Sequence, residues 1–172
     1  LHFARAGFVA AAFDNPGTAS LFDPSRPDWR RQADHLAWLG RSYEALCVFQ
    51  RRAALAWLRR RPFVDPRRLA VCGHSLGAKP ALLMGVLDDG IRAVIWNDMA
   101  GNWRERDVLM GLQPAPPWHY IPGFARWFDY IDLMCALAPT PLLIAEGGVL
   151  KDHARIRKAY GAAGCPAAVR IA

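Results

Sequence analysis

An apolar segment that runs directly into a Gly-x-Ser-x-Gly motif constrains the fold of this chain more than any other feature. Leu69 to Cys72 is typical of a buried strand, Gly73–Gly77 carries the motif, and apolar positions then recur at helical spacing as far as Leu87. Glycine is expected on both sides of the serine because a very sharp strand-to-helix turn brings backbone segments close together. The pattern predicts a strained turn that lifts the Ser75 hydroxyl clear of a sheet.

Short apolar runs alternate with helical patterns along the rest of the chain. Strands are predicted at Phe8 to Phe13, Leu69 to Cys72, Ile91 to Trp96, Pro141 to Ala145 and Ala168 to Ile171. Helices are predicted at Trp29 to Arg60, Leu76 to Leu87, Phe128 to Leu137 and His153 to Ala163. This order implies an α/β fold, with a mostly parallel sheet and helices on both of its faces. The irregular, Trp- and Pro-rich stretch 97–130 is predicted to be a small cap insertion.

Length and charge narrow the classes of function. A chain of 172 residues is expected to form one domain, and charged residues interrupt every apolar stretch before it reaches the length of a membrane span. The net charge of +7 comes almost entirely from arginine, as in many nucleic-acid-binding proteins. However, Arg51, Arg52 and Arg59 to Arg61 follow the polar face and end of one predicted helix, which favours a solvated surface. We therefore expect no nucleic-acid or membrane partner, and the oligomeric state stays open.

The cysteines and the first residues give weaker constraints. No pair of cysteines has the C-x-x-C spacing of a metal or redox site, so four buried free thiols, no metal and no cofactor are expected. These cysteines are Cys47, Cys72, Cys135 and Cys165. Residue 1 is not Met, and Leu1 to Arg5 lacks the order of a signal peptide, which slightly favours a cytoplasmic location.

A serine hydroxyl needs partners before it can act as a nucleophile. The N–H of Leu76, at the start of the predicted helix, can stabilise the oxyanion that forms when Ser75 attacks a carbonyl. A histidine base and a carboxylate are also required, in the chain order serine, acid, histidine. The motif could also be an ordinary glycine-rich loop, but the strand before it and the helix after it favour the nucleophile. His74 is interpreted as structural, because its side chain projects differently from that of Ser75.

Several segments resemble the α/β-hydrolase superfamily, in particular its dienelactone hydrolase and acetyl xylan esterase-like branch. These segments are Val64-Asp65-Pro66 through Arg68, the elbow Gly73–Gly77, Asp88 to Ala93, Phe128-Asp129, and Ala138 to Ile144 with its Ala-Pro-x-Pro turn. The resemblance spans nearly the whole chain. It implies a partial α/β-hydrolase fold and an acid that follows the strand Pro141 to Ala145.

Three carboxylates are candidates for that acid. Asp152 is the preferred one, because it lies on the predicted loop after the Pro141 to Ala145 strand. Glu146 stands immediately at the end of the same strand and is its main rival. Asp98, just after Ile91 to Trp96, would fit a rarer placement. The sequence does not decide among them.

The histidine base departs from the family pattern. No histidine follows Cys165, His153 begins a predicted helix beside the proposed acid, and His119 in the predicted cap is a candidate substrate contact. The resemblance implies that the base follows residue 172 and that the second oxyanion donor precedes residue 1. We therefore expect a fragment of a longer hydrolase that is inactive, or nearly so, by itself.

The sequence thus predicts a serine hydrolase that cleaves small-molecule carboxylic esters through an acyl-enzyme on Ser75. The aromatic residues of the predicted cap could line an apolar or sugar-stacking pocket. A peptidase or another acyl hydrolase would use the same residues, and a noncatalytic hydrolase-like binding protein is the alternative from a different class.

Overall fold

The computed structural model describes residues 2–12, 14–98, 101–104, 117–146 and 148–172 of the chain. The helices are α1 (His2–Arg5), α2 (Trp29–Trp38), α3 (Tyr43–Leu58), α4 (Ala78–Leu87), α5 (Tyr130–Ala136) and α6 (Leu150–Ala162). The strands are β1 (Leu69–His74), β2 (Ile91–Asn97), β3 (Leu142–Ile144) and β4 (Val169–Ile171). The order of these elements along the chain confirms the α/β class.

The four strands form one parallel sheet in the order β1-β2-β3-β4. At its carboxyl edge, His74 of β1 pairs with Asn97 of β2, and Ile144 of β3 pairs with Trp96 of β2. Because parallel strands all end at the same edge, the segments that follow β1, β2 and β3 emerge side by side. This edge therefore carries the residues of the candidate site.

The main core lies between the sheet and a layer of helices. Within that layer α3 contacts α4, α4 contacts α5, and α5 contacts α6. Trp96 and Ile144 on one face of the sheet are completely buried, whereas the alternating residues Ile95 and Leu143 are only partly buried. Helices were expected on both faces of the sheet. Within the described ranges they cover one face, because side chains are fully buried only on the face where helices pack.

The predicted helix from Trp29 to Arg60 is in fact two helices. The N–H of Arg41 donates to the carbonyl of Leu36 (2.7 Å), and Gly40 has a φ of +66°, which is a helix-ending arrangement that glycine adopts without strain. Ser42 then caps α3 by accepting a hydrogen bond from the N–H of Ala45. The prediction was wrong because apolar positions keep helical spacing across this break.

The strand predicted at Phe8 to Phe13 is also wrong over its described part. Residues 8–12 are exposed and take no part in the sheet, and Phe13 lies outside the described residues. The ring of Phe8 instead packs edge-on against Phe3. An apolar run becomes a strand only where a neighbouring strand accepts its hydrogen bonds, and among the described residues β1 pairs with β2 alone.

The structure describes part of the predicted cap insertion, 97–130. Asn97 belongs to β2 and Tyr130 to α5, and residues 117–129 contain two short 3-10 turns, Pro117–His119 and Phe124–Arg126. The ring of Trp118 packs against that of Trp29, with 4.3 Å between ring centroids. Residues 99–100 and 105–116 lie outside the described part of the chain, so a cap stays a prediction.

Candidate active site

Ser75 lies at the junction that the motif predicts. It follows the last residue of β1, opens a 3-10 turn (Ser75–Gly77) that leads into α4, and has a φ of +50°. A side chain other than glycine in this conformation is strained, and the strain persists only where the surrounding fold imposes it. The side chain is exposed, so an approaching molecule can reach its hydroxyl.

The two glycines of the motif are not equivalent. A Cβ atom on Gly73 would lie 2.0 Å from the carbonyl oxygen of Gly77, so only glycine fits at position 73. A Cβ atom on Gly77 would meet no described atom closer than the Arg51 guanidinium, at 4.0 Å. The expectation that both glycines are sterically required is therefore wrong for Gly77, whose own backbone has an ordinary helical φ of −83°.

Leu76 follows Ser75 inside the 3-10 turn and is partly buried. The turn continues directly into α4, whose N-cap residue Gly77 supplies no side-chain hydrogen bond to the helix. The first N–H groups of such a helix have no partner within the helix, and they form its positive end. A developing oxyanion near Ser75 would face this end of α4.

Asp152 is buried, with 5 % of its surface exposed, and its Oδ2 accepts a hydrogen bond of 2.9 Å from the backbone N–H of Asn102. It does not lie on a loop, as the sequence suggested. Helix α6 begins at Leu150 rather than at His153, which places Asp152 in the first turn of the helix. The N–H groups of a first turn favour a carboxylate at that position.

The two rival carboxylates have different surroundings. Glu146 follows β3 and is exposed to solvent. Asp98 follows β2 and is partly buried, and its backbone carbonyl accepts a hydrogen bond of 2.7 Å from the indole N–H of Trp96. Because His74 pairs with Asn97, Asp98 and Ser75 are the residues that follow a matched pair of neighbouring strand ends.

A second buried carboxylate, Asp129, contacts the same segment as Asp152. Its Oδ1 accepts a hydrogen bond from the N–H of Trp103 (3.1 Å), and its Oδ2 accepts one from the N–H of Arg104 (2.9 Å). The sequence analysis did not assign Asp129 a role in the site. Its position immediately before α5 marks it as a helix cap, but nothing local indicates contacts to residues 25 and 26 positions earlier.

Lys79 is a further buried polar residue that the sequence analysis missed. It lies one turn beyond Ser75 on α4 and is completely buried. Its Nζ contacts Nδ1 of His119 and stands 4.0 Å from the centre of the Trp103 ring. The structure thus places His119, the candidate substrate contact, against the helix that follows Ser75.

Glu44 on α3 is also completely buried, and neither of its carboxylate oxygens has a hydrogen-bond partner among the described residues. Burial raises the pKa of Glu44 to about 8, and the positive charges of Lys79 and Arg51 oppose that rise. A carboxyl group in such a site is neutral over much of the physiological pH range. Glu44 on α3 and Lys79 on α4 are thus two buried ionisable side chains that interact electrostatically.

His74 and His153 differ in their exposure to solvent. His74 is exposed at the end of β1. His153 is buried in α6, and its Nε2 has no hydrogen-bond partner in the described part of the chain. No described helix is long and apolar enough to cross a membrane, and no group of three or more metal-ligating side chains occurs within the described ranges. The four cysteines are free thiols, but the expectation that they are buried is wrong for Cys72, which is exposed at the solvent-facing side of β1, and holds fully only for Cys47.

Comparison with known proteins gives a family match over the whole chain. A model of the protein family described as "Abhydrolase family" matches residues 1–172. The "Putative hydrolase YtaP" of Bacillus subtilis (strain 168) is 26 % identical over 148 residues, which cover 77 % of this chain and 48 % of the relative.

Solved structures share the fold. A crystal structure of a "putative acetyl xylan esterase" from Bacteroides fragilis NCTC 9343 superposes with a TM-score of 0.90 at 32 % identity, covering 99 % of this chain and 47 % of that one. A glucuronoyl esterase from Teredinibacter turnerae T7901 gives a TM-score of 0.56 at 21 % identity, over 72 % of this chain and 36 % of that one. The chain thus spans about half the length of YtaP and of the Bacteroides protein.

Proposed function

The chain belongs to the Abhydrolase family, and from that premise we propose that it carries, at Ser75, the nucleophile of a carboxylic ester hydrolase. The observation that carries the proposal is the φ of +50° at Ser75, on an exposed turn between β1 and α4. Strain of this kind holds a serine hydroxyl out from the end of a sheet, ready for attack on a carbonyl.

The reaction would proceed through an acyl-enzyme. The Oγ of Ser75 attacks the ester carbonyl carbon while a histidine base takes its proton, and the N–H of Leu76 donates to the resulting oxyanion. Collapse of this intermediate breaks the bond to the alcohol, which leaves with the proton from the histidine. Water then attacks the acyl-enzyme, gives its proton to the same histidine, and releases the carboxylic acid while the proton returns to Ser75.

We assign the acid to Asp152. A buried carboxylate holds an imidazole in one tautomer and stabilises the imidazolium that forms, and both effects need an oxygen in a fixed position. The Asn102 N–H fixes Oδ2 of Asp152, which leaves Oδ1 for the imidazole. Glu146 is exposed and would lose much of this stabilisation to solvent. The base itself is proposed to be a histidine that comes after the acid in the superfamily order, and His153, which is buried in α6, is not assigned this role.

The substrate class proposed is a small carboxylic ester. The similarity to the protein described as a "putative acetyl xylan esterase" favours a short acyl group, which makes p-nitrophenyl acetate a suitable first substrate. An exposed nucleophile would also react with other acyl compounds, so a peptidase or another acyl hydrolase is the alternative function.

Labelling with a fluorophosphonate tests the nucleophile, since this reagent reacts with a serine hydroxyl that a base has activated. We expect the complete gene product to label at one residue and Ser75→Ala to lose the label and the esterase activity. Ser25→Ala, which removes an exposed loop serine, is the matched control and should keep both. Undiminished labelling of the Ser75→Ala protein would refute the assignment, and a folded wild-type protein without label would support a noncatalytic binding protein.

The acid is tested by comparing three isosteric variants in the same protein. Asp152→Asn should lower kcat by roughly 10⁴-fold, because an amide in place of the carboxylate holds the imidazole in the wrong tautomer. Asp98→Asn and Glu146→Gln should leave kcat within about threefold of wild type. A large loss in either of these two, with Asp152→Asn active, would move the acid to that residue.

A further inference from the structure

Two buried carboxylates from different elements hold the short segment that follows β2. We propose that one of them, Asp129, is a positioning residue for the catalytic acid, which it aligns through the backbone of residues 102–104. The inference rests on the proposed function, since it requires Asp152 to be the acid.

The hydrogen bonds run through three consecutive N–H groups. Asp152 receives the N–H of Asn102 at 2.9 Å, while the two oxygens of Asp129 receive those of Trp103 and Arg104, at 3.1 and 2.9 Å. Three successive N–H groups with two different carboxylate acceptors leave this backbone little freedom to rotate. Loss of the hydrogen bonds from Trp103 and Arg104 would therefore leave this backbone, and the adjacent N–H of Asn102, freer to move.

Asp129 is itself rigidly held. Only 3 % of its surface is exposed, and its own backbone N–H donates to Oδ2 of Asp132 at 2.6 Å, as part of the capping box that begins α5. The carboxylate therefore cannot turn toward solvent when the segment moves. A buried acceptor with two well-aligned N–H donors is costly to disrupt.

A second contact closes the arrangement into a ring. Asp132 forms an ion pair with Arg155, which lies on α6 three residues after Asp152. The start of α5 is thus tied to α6 twice, once by this ion pair and once through Asp129, the 102–104 backbone and Asp152. Because both connections end in the first two turns of α6, they hold the Asp152 side chain in position relative to α5.

The segment between the two carboxylates also packs closely on Asp152. A Cβ atom on Gly101 would lie 4.0 Å from Oδ2 of Asp152 and 3.4 Å from a methyl group of Val149. The backbone around Gly101 therefore forms one wall of the carboxylate's site. Asp129 acts on the reaction only by keeping this wall, and the Asn102 N–H within it, in place.

The test is a double-mutant cycle in the complete gene product, with kcat and KM measured on p-nitrophenyl acetate. Asp129→Asn keeps the size of the side chain but leaves one acceptor oxygen for two N–H donors. We expect kcat to fall by about 10- to 100-fold with KM changed less than about twofold, because misalignment affects the chemical step rather than binding. In the Asp152→Asn background, Asp129→Asn should alter kcat less than about twofold, because the carboxylate that Asp129 positions is already absent.

Two further variants complete the experiment. Asp34→Asn, an exposed aspartate on α2, is the matched control and should leave kcat unchanged. Asp132→Asn weakens the ring from its other side and should lower kcat by a smaller factor, with the same loss of effect in the Asp152→Asn background. This variant carries the test if Asp129→Asn does not fold.

The outcomes separate the two proposals. Equal losses of kcat from Asp129→Asn in both backgrounds, or a loss seen only in KM, would refute the positioning role while leaving Asp152 as the acid. If Asp152→Asn alone retains wild-type kcat, the acid assignment fails, and the positioning role fails with it.

Discussion

The backbone of Gly77 occupies the space that a side chain on Gly73 would need. A Cβ atom on Gly73 would lie 2.4 Å from the carbonyl carbon of Gly77, in addition to its clash with the oxygen, and 2.8 Å from the Cα of Ala78. All three are backbone atoms, so no side-chain rotation relieves the overlap. The turn that exposes Ser75 therefore requires that the residue before the last one of β1 has no side chain.

We therefore expect Gly73→Ala to destabilise the protein by about 3 kcal/mol and to abolish fluorophosphonate labelling of Ser75. Gly161→Ala is the matched control. Position 161 lies in α6, a Cβ atom there meets nothing within 4 Å, and alanine should be neutral or stabilise the helix by up to about 1 kcal/mol. Urea unfolding measures both effects, and a Gly73→Ala protein of wild-type stability would contradict the expectation.

Glu44 should make stability fall as the pH rises. Its pKa is raised to about 8 by burial from an ordinary value of 4.5, so the folded state keeps a proton that the unfolded state has released. Its contribution to stability is therefore complete below about pH 4.5 and is lost as the pH approaches 8, by at most about 1.4 kcal/mol per pH unit.

The measurement is urea unfolding of wild type and Glu44→Gln between pH 5 and about 8. The free energy of unfolding of wild type should decline relative to that of the variant across this range. Other groups near the carboxyl are Lys79, Arg51, Tyr43, Cys47 and Tyr130. Glu146→Gln, at an exposed glutamate, is the control. A difference between wild type and Glu44→Gln that does not vary with pH would show that Glu44 is ionised in the folded protein.

The ion pair between Arg59 and Asp88 should stabilise the fold at neutral pH. Two hydrogen bonds, of 3.0 and 2.6 Å, join Arg59 at the end of α3 to Asp88 in the turn before β2. Hydrogen bonding to Arg59 holds the pKa of Asp88 below its ordinary value of 3.8. Asp88→Asn should cost about 1–2 kcal/mol at pH 7. Because the pKa is lowered in the folded state, the difference should shrink as the pH falls below about 3.8.

Arg26→Gln is a suitable control for that measurement. It removes an ion pair with Asp23 in which the arginine side chain is 80 % exposed, and solvent screens such a pair. Chemical denaturation at pH 7 should not distinguish Arg26→Gln from wild type. If Asp88→Asn also had the unfolding free energy of wild type at that pH, the contact with Arg59 would contribute nothing to stability.

Gly40→Ala tests the break between α2 and α3. The position has a φ of +66°, and a Cβ atom would meet no atom within 4 Å, so only backbone strain opposes alanine. We expect a loss of about 1–2 kcal/mol in unfolding free energy, and a smaller loss for Gly40→Asn, because asparagine tolerates the left-handed conformation. Equal stability of Gly40→Ala and wild type would imply that the two helices can join.

The sequence predicts features whose cause is local. The turn at Ser75 follows from the five-residue motif Gly73–Gly77 at the junction of a strand and a helix. The alternation of apolar runs with helical patterns predicts a parallel sheet. The start of α6 was missed because Val149, its N-cap residue, provides no capping side chain. The sequence therefore placed Asp152 on a loop rather than in a helical turn.

Features that depend on distant contacts could not be predicted. Asp129 meets Trp103 across 26 positions, and Lys79 meets His119 across 40, so no spacing rule connects either pair. Lys79 and Glu44 are charged residues within helical patterns, where solvent exposure is the usual outcome. Their complete burial follows from how α3 and α4 pack, and no local sequence pattern predicts that packing.

The all-parallel pairing of the sheet has a consequence for how fast this chain can fold. Among the described residues no two strands are joined by a hairpin. Residues 75–90 separate β1 from β2, residues 98–141 separate β2 from β3, and residues 145–168 separate β3 from β4. To form each pairing the chain must close a long loop, and the entropy lost in closing it is offset only after the strand contacts have formed. Proteins with such topologies are therefore among the slower folders. The β1-α4-β2 unit has the shortest of these closures, so substitutions that weaken its packing should slow folding, whereas those at β4 should mainly speed unfolding.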